Sequence, residues 1–185
     1  GEREYYAQSV AQVQDWRWIA EDMKHWISGF PDVFNDKIVL DVGAGECLLT
    51  FAVADIGQSR YTVALELIHH RMFAAQRVDI SGLGLVCGDC YLLPFEREAF
   101  DIVVGNGVIH HLPDENLAAS EIARVLKAGG IYFGREPNFK NPLVKRRVLG
   151  GHSTPNEHAI MPAAVESAFT SAGMSSTIRY FWRRV

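Results

Sequence analysis

The chain has 185 residues, 48% of them hydrophobic, and a formal net charge of −4. That length supports one sizeable core and is short for two ordinary domains, and the acidic balance disfavours the non-specific nucleic-acid binding that requires an excess positive field. No apolar run reaches the ~20 residues that span a bilayer, and Gly1-Glu2-Arg3-Glu4 is not a basic segment leading into an apolar one. Three cysteines, Cys47, Cys87 and Cys90, suit a reducing compartment better than a disulfide framework, so the expectation is a cytoplasmic chain with no membrane partner.

Residues 1–36 carry Tyr5, Tyr6, Trp16, Trp18, Met23, Trp26 and Phe30 in one or two helical patterns, and aromatics that dense need a surface to cover. From Lys37 onward short β-branched runs alternate with helical patterns, the signature of βαβ units. The predicted strands are Ile38–Asp41, Tyr61–Glu66, Gly84–Cys87, Asp101–Gly105 and Gly130–Arg135, with a weaker sixth at Ser175–Phe181. The clearest helix lies between the fourth and fifth: Asp114 caps it, Ala118, Ile122, Val125 and Leu126 share a face, and Gly129-Gly130 stops it. Residues 137–162 are rich in Pro, Asn, Gly and His without a sustained period, which points to a functional insertion. The expected fold is therefore a single α/β domain with a doubly wound, mostly parallel sheet. Residues 37–136 are its core, 137–162 an irregular insertion and 163–185 an incomplete C-terminal part.

The segment Val39-Leu40-Asp41-Val42-Gly43-Ala44-Gly45-Glu46 runs a buried strand into a Gly-x-Gly turn and then into an apolar helix over Leu48–Ile56. Glycine permits the tight turn and a close backbone approach to a ligand. About twenty positions later, at the end of the second strand, Glu66 is placed to accept ribose hydroxyl hydrogens. Both features point to a nucleoside. Leu48 stands where a dinucleotide fingerprint has its third glycine, and Glu46 at the helix N-terminus would repel a pyrophosphate. Acids at Asp41 and Glu46, with Asp89 suited to an adenine amino group, favour instead a cationic, phosphate-free nucleoside such as S-adenosylmethionine.

In order, Val39–Gly45, Glu66, Gly88-Asp89, Phe100-Asp101-Ile102-Val103, His110-His111-Leu112-Pro113-Asp114 and Leu126-Lys127-Ala128-Gly129-Gly130 resemble the successive motifs of the class I methyltransferases, especially the small-molecule branch called type 11. The resemblance covers Ile38 to Asn138. It implies a Rossmann-like fold with residues 1–36 as an N-terminal helical lid over the pocket, S-adenosylmethionine as methyl donor with S-adenosylhomocysteine as product, and a small-molecule acceptor. It implies that Asp41, Gly43, Ala44 and Gly45 surround the methionine part, Glu66 the ribose and Leu67 the adenine face. Asp89 and Cys90 would meet the adenine edge, and Asn106 and Gly107 would line the site after the fourth strand. The family's seventh strand is not visible, and a sixth strand without it would leave ladder groups unpaired, which predicts a longer native protein.

Alignment of acceptor, methyl and sulfur is the main catalytic demand, and an oxygen acceptor also needs a base. His110 and His111 follow the fourth strand at the carboxyl edge, where open α/β sheets bind ligands, and Glu136 and Asn138 follow the fifth. His110, His111 and Glu136 are thus the candidate catalytic residues, with loop support as the bland alternative. Cys87-Gly88-Asp89-Cys90 has metal or redox spacing without a second pair, so no metal centre is expected. His69 and His70 read as surface or cap residues, and Lys145-Arg146-Arg147 as a solvated face. His152 and His158 reach the site only if the insertion folds over it. A nucleic-acid methyltransferase is disfavoured because Asn106-Gly107-Val108-Ile109 replaces the proline-rich pocket for a flipped base. The rival from another class is a regulatory module that holds the cofactor without chemistry.

Overall fold

A computed structural model describes residues 17–30, 32–72, 81–149 and 157–180. Five parallel strands form one sheet in the order β3-β2-β1-β4-β5: β1 (Ile38–Val42), β2 (Tyr61–Glu66), β3 (Leu83–Cys87), β4 (Phe100–Asn106) and β5 (Leu126–Arg135). The order reverses between β1 and β4, which opens a crevice beyond their carboxyl ends, the usual ligand position in such sheets.

Helices cover both faces, as a parallel sheet requires. On one, α1 (Arg17–Ser28) and α2 (Leu48–Asp55) bury Met23, Ile27, Leu49, Ala52 and Val53 against Val39, Ile102 and Val104. On the other, α3 (Glu115–Val125) and α5 (Pro162–Ser171) bury Ala118, Ile122, Val125, Ala168 and Phe169 against Leu40, Val42 and Val103. The period of two along β1 thus sends Val39 to one layer and Leu40 to the other. The buried residues Ile102, Val103 and Val104 of β4 read as an unbroken apolar run for the same reason, and in β1 only Asp41 interrupts one.

The described part of the N-terminal segment is packed as a structural layer. Trp26 stacks on Phe133 of β5 at 5.0 Å between centroids, and Phe30 and Phe34 meet the same ring edge-on. Residues 1–16, with Tyr5, Tyr6 and Trp16, lie outside the described residues.

Three predicted elements differ. The helix capped by Asp114, whose Oδ1 accepts the Asn116 and Leu117 N–H groups at 3.1 and 3.0 Å, ends at Val125 rather than at Gly129-Gly130. Leu126 is already extended and pairs with Phe100, so pairing with β4 overrides the helical period, and the ladder shifts register between Phe100 and Ile102. Ser175–Tyr180 alternate between exposed and half-buried, as the sequence pattern suggests, yet carry no ladder pairing and form no sixth strand. A period of two makes a segment fit for a sheet, but only a partner's backbone makes it a strand. Within the stretch expected to be irregular, Pro142–Leu149 form helix α4.

Candidate functional site

At the end of β1, Gly43 and Gly45 hold φ of +64° and +54°, left-handed values that glycine adopts without strain. The Val108 side chain packs directly on Gly43: a Cβ there would stand 2.8 Å from Val108 Cγ2. Glu66 ties the turn to β2. Its Oε2 accepts the Gly45 N–H at 2.8 Å and its Oε1 the Ile68 N–H at 3.0 Å, while the Ala44 N–H donates to the Leu65 carbonyl at 3.0 Å. The acid expected at a ribose therefore also builds the loop around it, with lone pairs to spare on both oxygens.

Asp41 is 1% exposed and accepts a 2.6 Å hydrogen bond from Thr50 Oγ1 on α2. Burial pushes its pKa up to about 7, the Thr50 hydrogen bond opposing the rise and the Glu66 charge adding to it. Glu46 differs from its sequence reading. It is no bare charge at the helix start, because Arg71 grips it with Nε on Oε1 and Nη2 on Oε2, both at 3.0 Å. The same guanidinium lies over Gly45, 3.0 Å from where a Cβ would be. The acidic character of this end of the crevice rests on Asp41, Glu66 and the exposed Asp89.

Beyond β2 and β3, Leu67 is half-buried and its carbonyl accepts from Cys87 Sγ at 3.6 Å. Asp89 is exposed, and its Oδ1 accepts the Tyr91 N–H at 2.9 Å in a turn. The Cys47 and Cys90 thiols are both raised to about 12, by burial first and by nearby acids after it. Such thiols are inert near neutral pH, and Cys87 is exposed where Cys90 is half-buried.

The second half of the crevice follows β4 and β5. Glu136 lies under the short 3₁₀ turn Ile109–His111. Its Oε1 accepts the Val108 and Ile109 N–H groups at 3.1 and 2.9 Å, and its Oε2 meets His110 Nδ1 at 2.6 Å. The carboxylate is thus engaged by two backbone N–H groups and an imidazole nitrogen. It fixes His110 with Nδ1 as donor and Nε2 outward. His111 packs on His110 with ring centroids 4.1 Å apart. His110 is 4% exposed, with Phe139 on its other side. The three residues expected to be catalytic thus come together.

Asn106 does not join them, since its Oδ1 accepts Arg135 Nε at 2.8 Å, and Arg135 in turn pairs with Asp22 of α1 at 2.9 Å. Gly107, with φ +67°, keeps a backbone opening beside His110, a Cβ there meeting only its Cε1 within 4 Å. Asn138 Oδ1 accepts the Lys140 N–H at 3.1 Å as part of a turn. His158 reaches the site through its backbone, its N–H donating to the His110 carbonyl at 3.0 Å, and His152 lies outside the described residues. Thr50, Arg71, Glu157 and Tyr132 were missed by sequence reasoning; the only signal was a Thr one helical turn into α2. The Tyr132 hydroxyl is buried, crowds Gly105 and Gly134, and finds no hydrogen-bond partner among the described residues. A cavity of about 380 Å³ lined by Ala123, Leu126, Gly129 and Gly173 opens at the opposite edge of the sheet, away from this chemistry.

The sheet order and its flanking helices are those of the Rossmann-like class I methyltransferase fold. More narrowly, the chain belongs to the type 11 methyltransferase domain family, which matches residues 40–134. It is 32% identical over 94 residues to 2-methyl-6-phytyl-1,4-hydroquinone methyltransferase 1 of Oryza sativa subsp. japonica, covering 50% of this chain and 28% of that protein. It is 38% identical over 104 residues to a phthiotriol/phenolphthiotriol dimycocerosates methyltransferase of Mycobacterium ulcerans, covering 54% and 38%. A tRNA U34 carboxymethyltransferase of Ruthia magnifica is 31% identical over 126 residues, covering 63% and 37%. The chain therefore spans well under half the length of these relatives. Among solved structures, a Haloferax volcanii methyltransferase in complex with the activator Trm112 superposes with a TM-score of 0.81 at 20% identity, over 95% of this chain and 77% of that one. YcgJ of Bacillus subtilis gives 0.70 at 20% identity, over 82% and 68%. Among the described residues, no helix is long and apolar enough to cross a membrane.

Proposed function

We propose that this chain binds S-adenosylmethionine between the glycine turn and Glu66 and transfers its methyl group to a small acceptor held beside His110. The observation that carries the reading is the contact of Val108 with Gly43, which makes the His110 turn and the glycine turn two walls of one crevice at the switch between β1 and β4. The donor set fits the cofactor. Carboxylates at Asp41, Glu66 and Asp89 suit ribose hydroxyls, an amino group and net positive charge, and the buried Tyr132 hydroxyl marks a floor with unused hydrogen-bonding capacity.

When bound, the cofactor supplies an already activated methyl on a sulfonium. The chain's own residues then have to align and desolvate, which can contribute on the order of 7–11 kcal/mol. Leu67 and Cys90 would flank adenine, Gly43, Ala44, Gly45 and Asp41 the methionine part, and Gly107 would leave the backbone open where the methyl is passed. Asn106 would shape that opening through Arg135 rather than by contact. His110, oriented by Glu136, offers Nε2 to the proton of an acceptor hydroxyl, and His111 covers its ring. A placed base of this kind contributes roughly 10²–10⁴-fold.

A small acceptor is supported by relatives named for a hydroquinone and for phthiotriol/phenolphthiotriol dimycocerosates. The relative named for tRNA U34 supports an RNA acceptor, against which the net charge of −4 counts. The test is calorimetric titration with S-adenosylhomocysteine and, separately, NADH. Saturable binding of the first alone, weakened at least tenfold by Leu67→Asp and by Glu66→Ala in protein shown to be folded, is expected. Binding of NADH instead, or of neither ligand by folded protein, overturns the reading. A subsequent acceptor screen with phenols, quinols and RNA separates the acceptor classes.

A further inference from the structure

The geometry points to a divalent metal site of the zinc class formed by His110, His111 and Glu157, with Glu136 as the outer carboxylate that orients His110. It does not depend on which nucleoside the crevice binds.

One nitrogen from each histidine and one oxygen from Glu157 lie within 4.8 Å of one another. They come from two segments far apart in sequence, the turn after β4 and the chain entering α5. These are joined locally by the hydrogen bond from the His158 N–H to the His110 carbonyl at 3.0 Å. His110 Nδ1 is committed to Glu136 at 2.6 Å, so Nε2 is the nitrogen that faces Glu157 Oε1, at 3.6 Å. That separation is too long for a hydrogen bond. It is the separation expected of two ligands on one tetrahedral ion, since bonds of about 2.0–2.2 Å at a tetrahedral angle put donor atoms roughly 3.3–3.6 Å apart.

The ligand chemistry narrows the ion. Two imidazoles and a carboxylate form the N,N,O set used by zinc and its neighbours, whereas magnesium and calcium take oxygen ligands. A carboxylate on the far nitrogen of a ligating histidine is the arrangement that fixes tautomer and ring plane at metal centres. His110 is 5% and Glu157 13% exposed at their side chains, so an ion there would be largely withdrawn from water. Three protein ligands would leave the fourth position of a tetrahedral ion to an acceptor oxygen. With the ion in place, the Nε2 lone pair serves as a ligand and no longer takes a proton; the cation would lower the pKa of a bound acceptor oxygen, whose proton is then released to solvent. The preferred acceptor is then one that presents an oxygen to a metal, such as a phenol or hydroxy acid.

The test uses the full chain, freed of metal by chelator and titrated with Co²⁺ while its visible absorption is recorded, then with Zn²⁺ in competition. We expect one Co²⁺ per chain, intense d–d bands of a four- or five-coordinate site, displacement by Zn²⁺ and none by millimolar Mg²⁺. His111→Ala and Glu157→Gln should each weaken binding at least about tenfold, and Glu136→Gln on the order of 10–100-fold. His25→Ala, at an exposed histidine of α1, should leave it unchanged. Circular dichroism establishes that each variant is folded. Absence of saturable binding overturns the site, as does binding unaffected by His111→Ala and Glu157→Gln or lost in His25→Ala. If Glu157→Gln lowers thermal stability with Co²⁺ affinity unchanged, Glu157 is only an ion-pair partner of a protonated His110, and the inference fails. Titration of the same preparations with S-adenosylhomocysteine reports on the cofactor separately, so either reading can fall without the other.

Discussion

The two walls of the crevice are built differently. The wall after β1 and β2 is local: Glu66 binds the N–H of Gly45, 21 residues away, and of Ile68, two residues away, so one βαβ unit closes on itself. The wall after β4 and β5 is assembled from separated segments, with Glu136 reaching back 26 residues to His110 and Glu157 arriving from the chain before α5. The first wall commits its acid to backbone and gains a rigid turn; the second divides its acid between backbone and an imidazole and gains a directed nitrogen as well. A cofactor common to a family suits a locally encoded wall, and an acceptor that varies between relatives suits one assembled from exchangeable segments.

The largest effect that would sharpen this contrast is the pH dependence of Asp41. Its folded-state pKa of about 7 lies above the ordinary 3.8, so the stability it contributes is present below about pH 4 and is lost as pH rises through 7. The loss is on the order of 4 kcal/mol. Asp41→Asn should remove it, so the stability difference between wild type and variant, measured by urea unfolding between pH 4 and 8, should move against the wild type with rising pH. A difference that stays constant would mean that Asp41 is ionised throughout.

Next in size is Gly43→Ala. A left-handed φ and the overlap with Val108 together cost about 2–4 kcal/mol. Val108→Ala in the same chain should recover the steric part and leave the backbone part, as a double-mutant cycle of unfolding free energies would reveal. Strict additivity would break the claim that the two walls touch there.

Glu136→Gln should cost about 1–2 kcal/mol. It should also exchange the His110 tautomer, because an amide nitrogen can face Nδ1 only as donor. The nitrogen chemical shifts of the imidazole would report the exchange, whereas a residue that merely filled space would leave them unchanged. Smallest is Arg71→Ala, which breaks a half-buried pair with Glu46 for about 1 kcal/mol. Freed of its partner, Glu46 should strengthen binding of a cationic nucleoside relative to S-adenosylhomocysteine, measured by paired titrations.

The local wall was legible in the sequence because its cues are positional. A strand, two glycines with forced left-handed φ and an acid at the end of the next strand follow from chain geometry within one unit, and Asp114 declared its helix start in the same way. The charge of Glu46 was misjudged, because nothing in a linear reading places Arg71 opposite it. The end of α3 was missed for a related reason: Leu126 continues the helical period, and only the ladder with Phe100 draws it into β5. Ser175–Tyr180 show the converse, a strand pattern without a ladder partner among the described residues.

By itself the sequence determined the succession of the five strands and of the helix after the fourth, the glycine turn and its acid, and the placing of His110, His111 and Glu136 at the carboxyl edge, since these follow from hydrophobic period and the topology of parallel crossovers. Only the tertiary structure decided which polar atoms meet: Glu136 under the His110 turn, Glu157 facing Nε2, Arg71 on Glu46 and Asp41 sealed beneath Thr50. Hydrogen bonds and pKa values depend on distances of a few ångströms and on burial, and residues far apart in the chain acquire both only when the sheet brings their ends together.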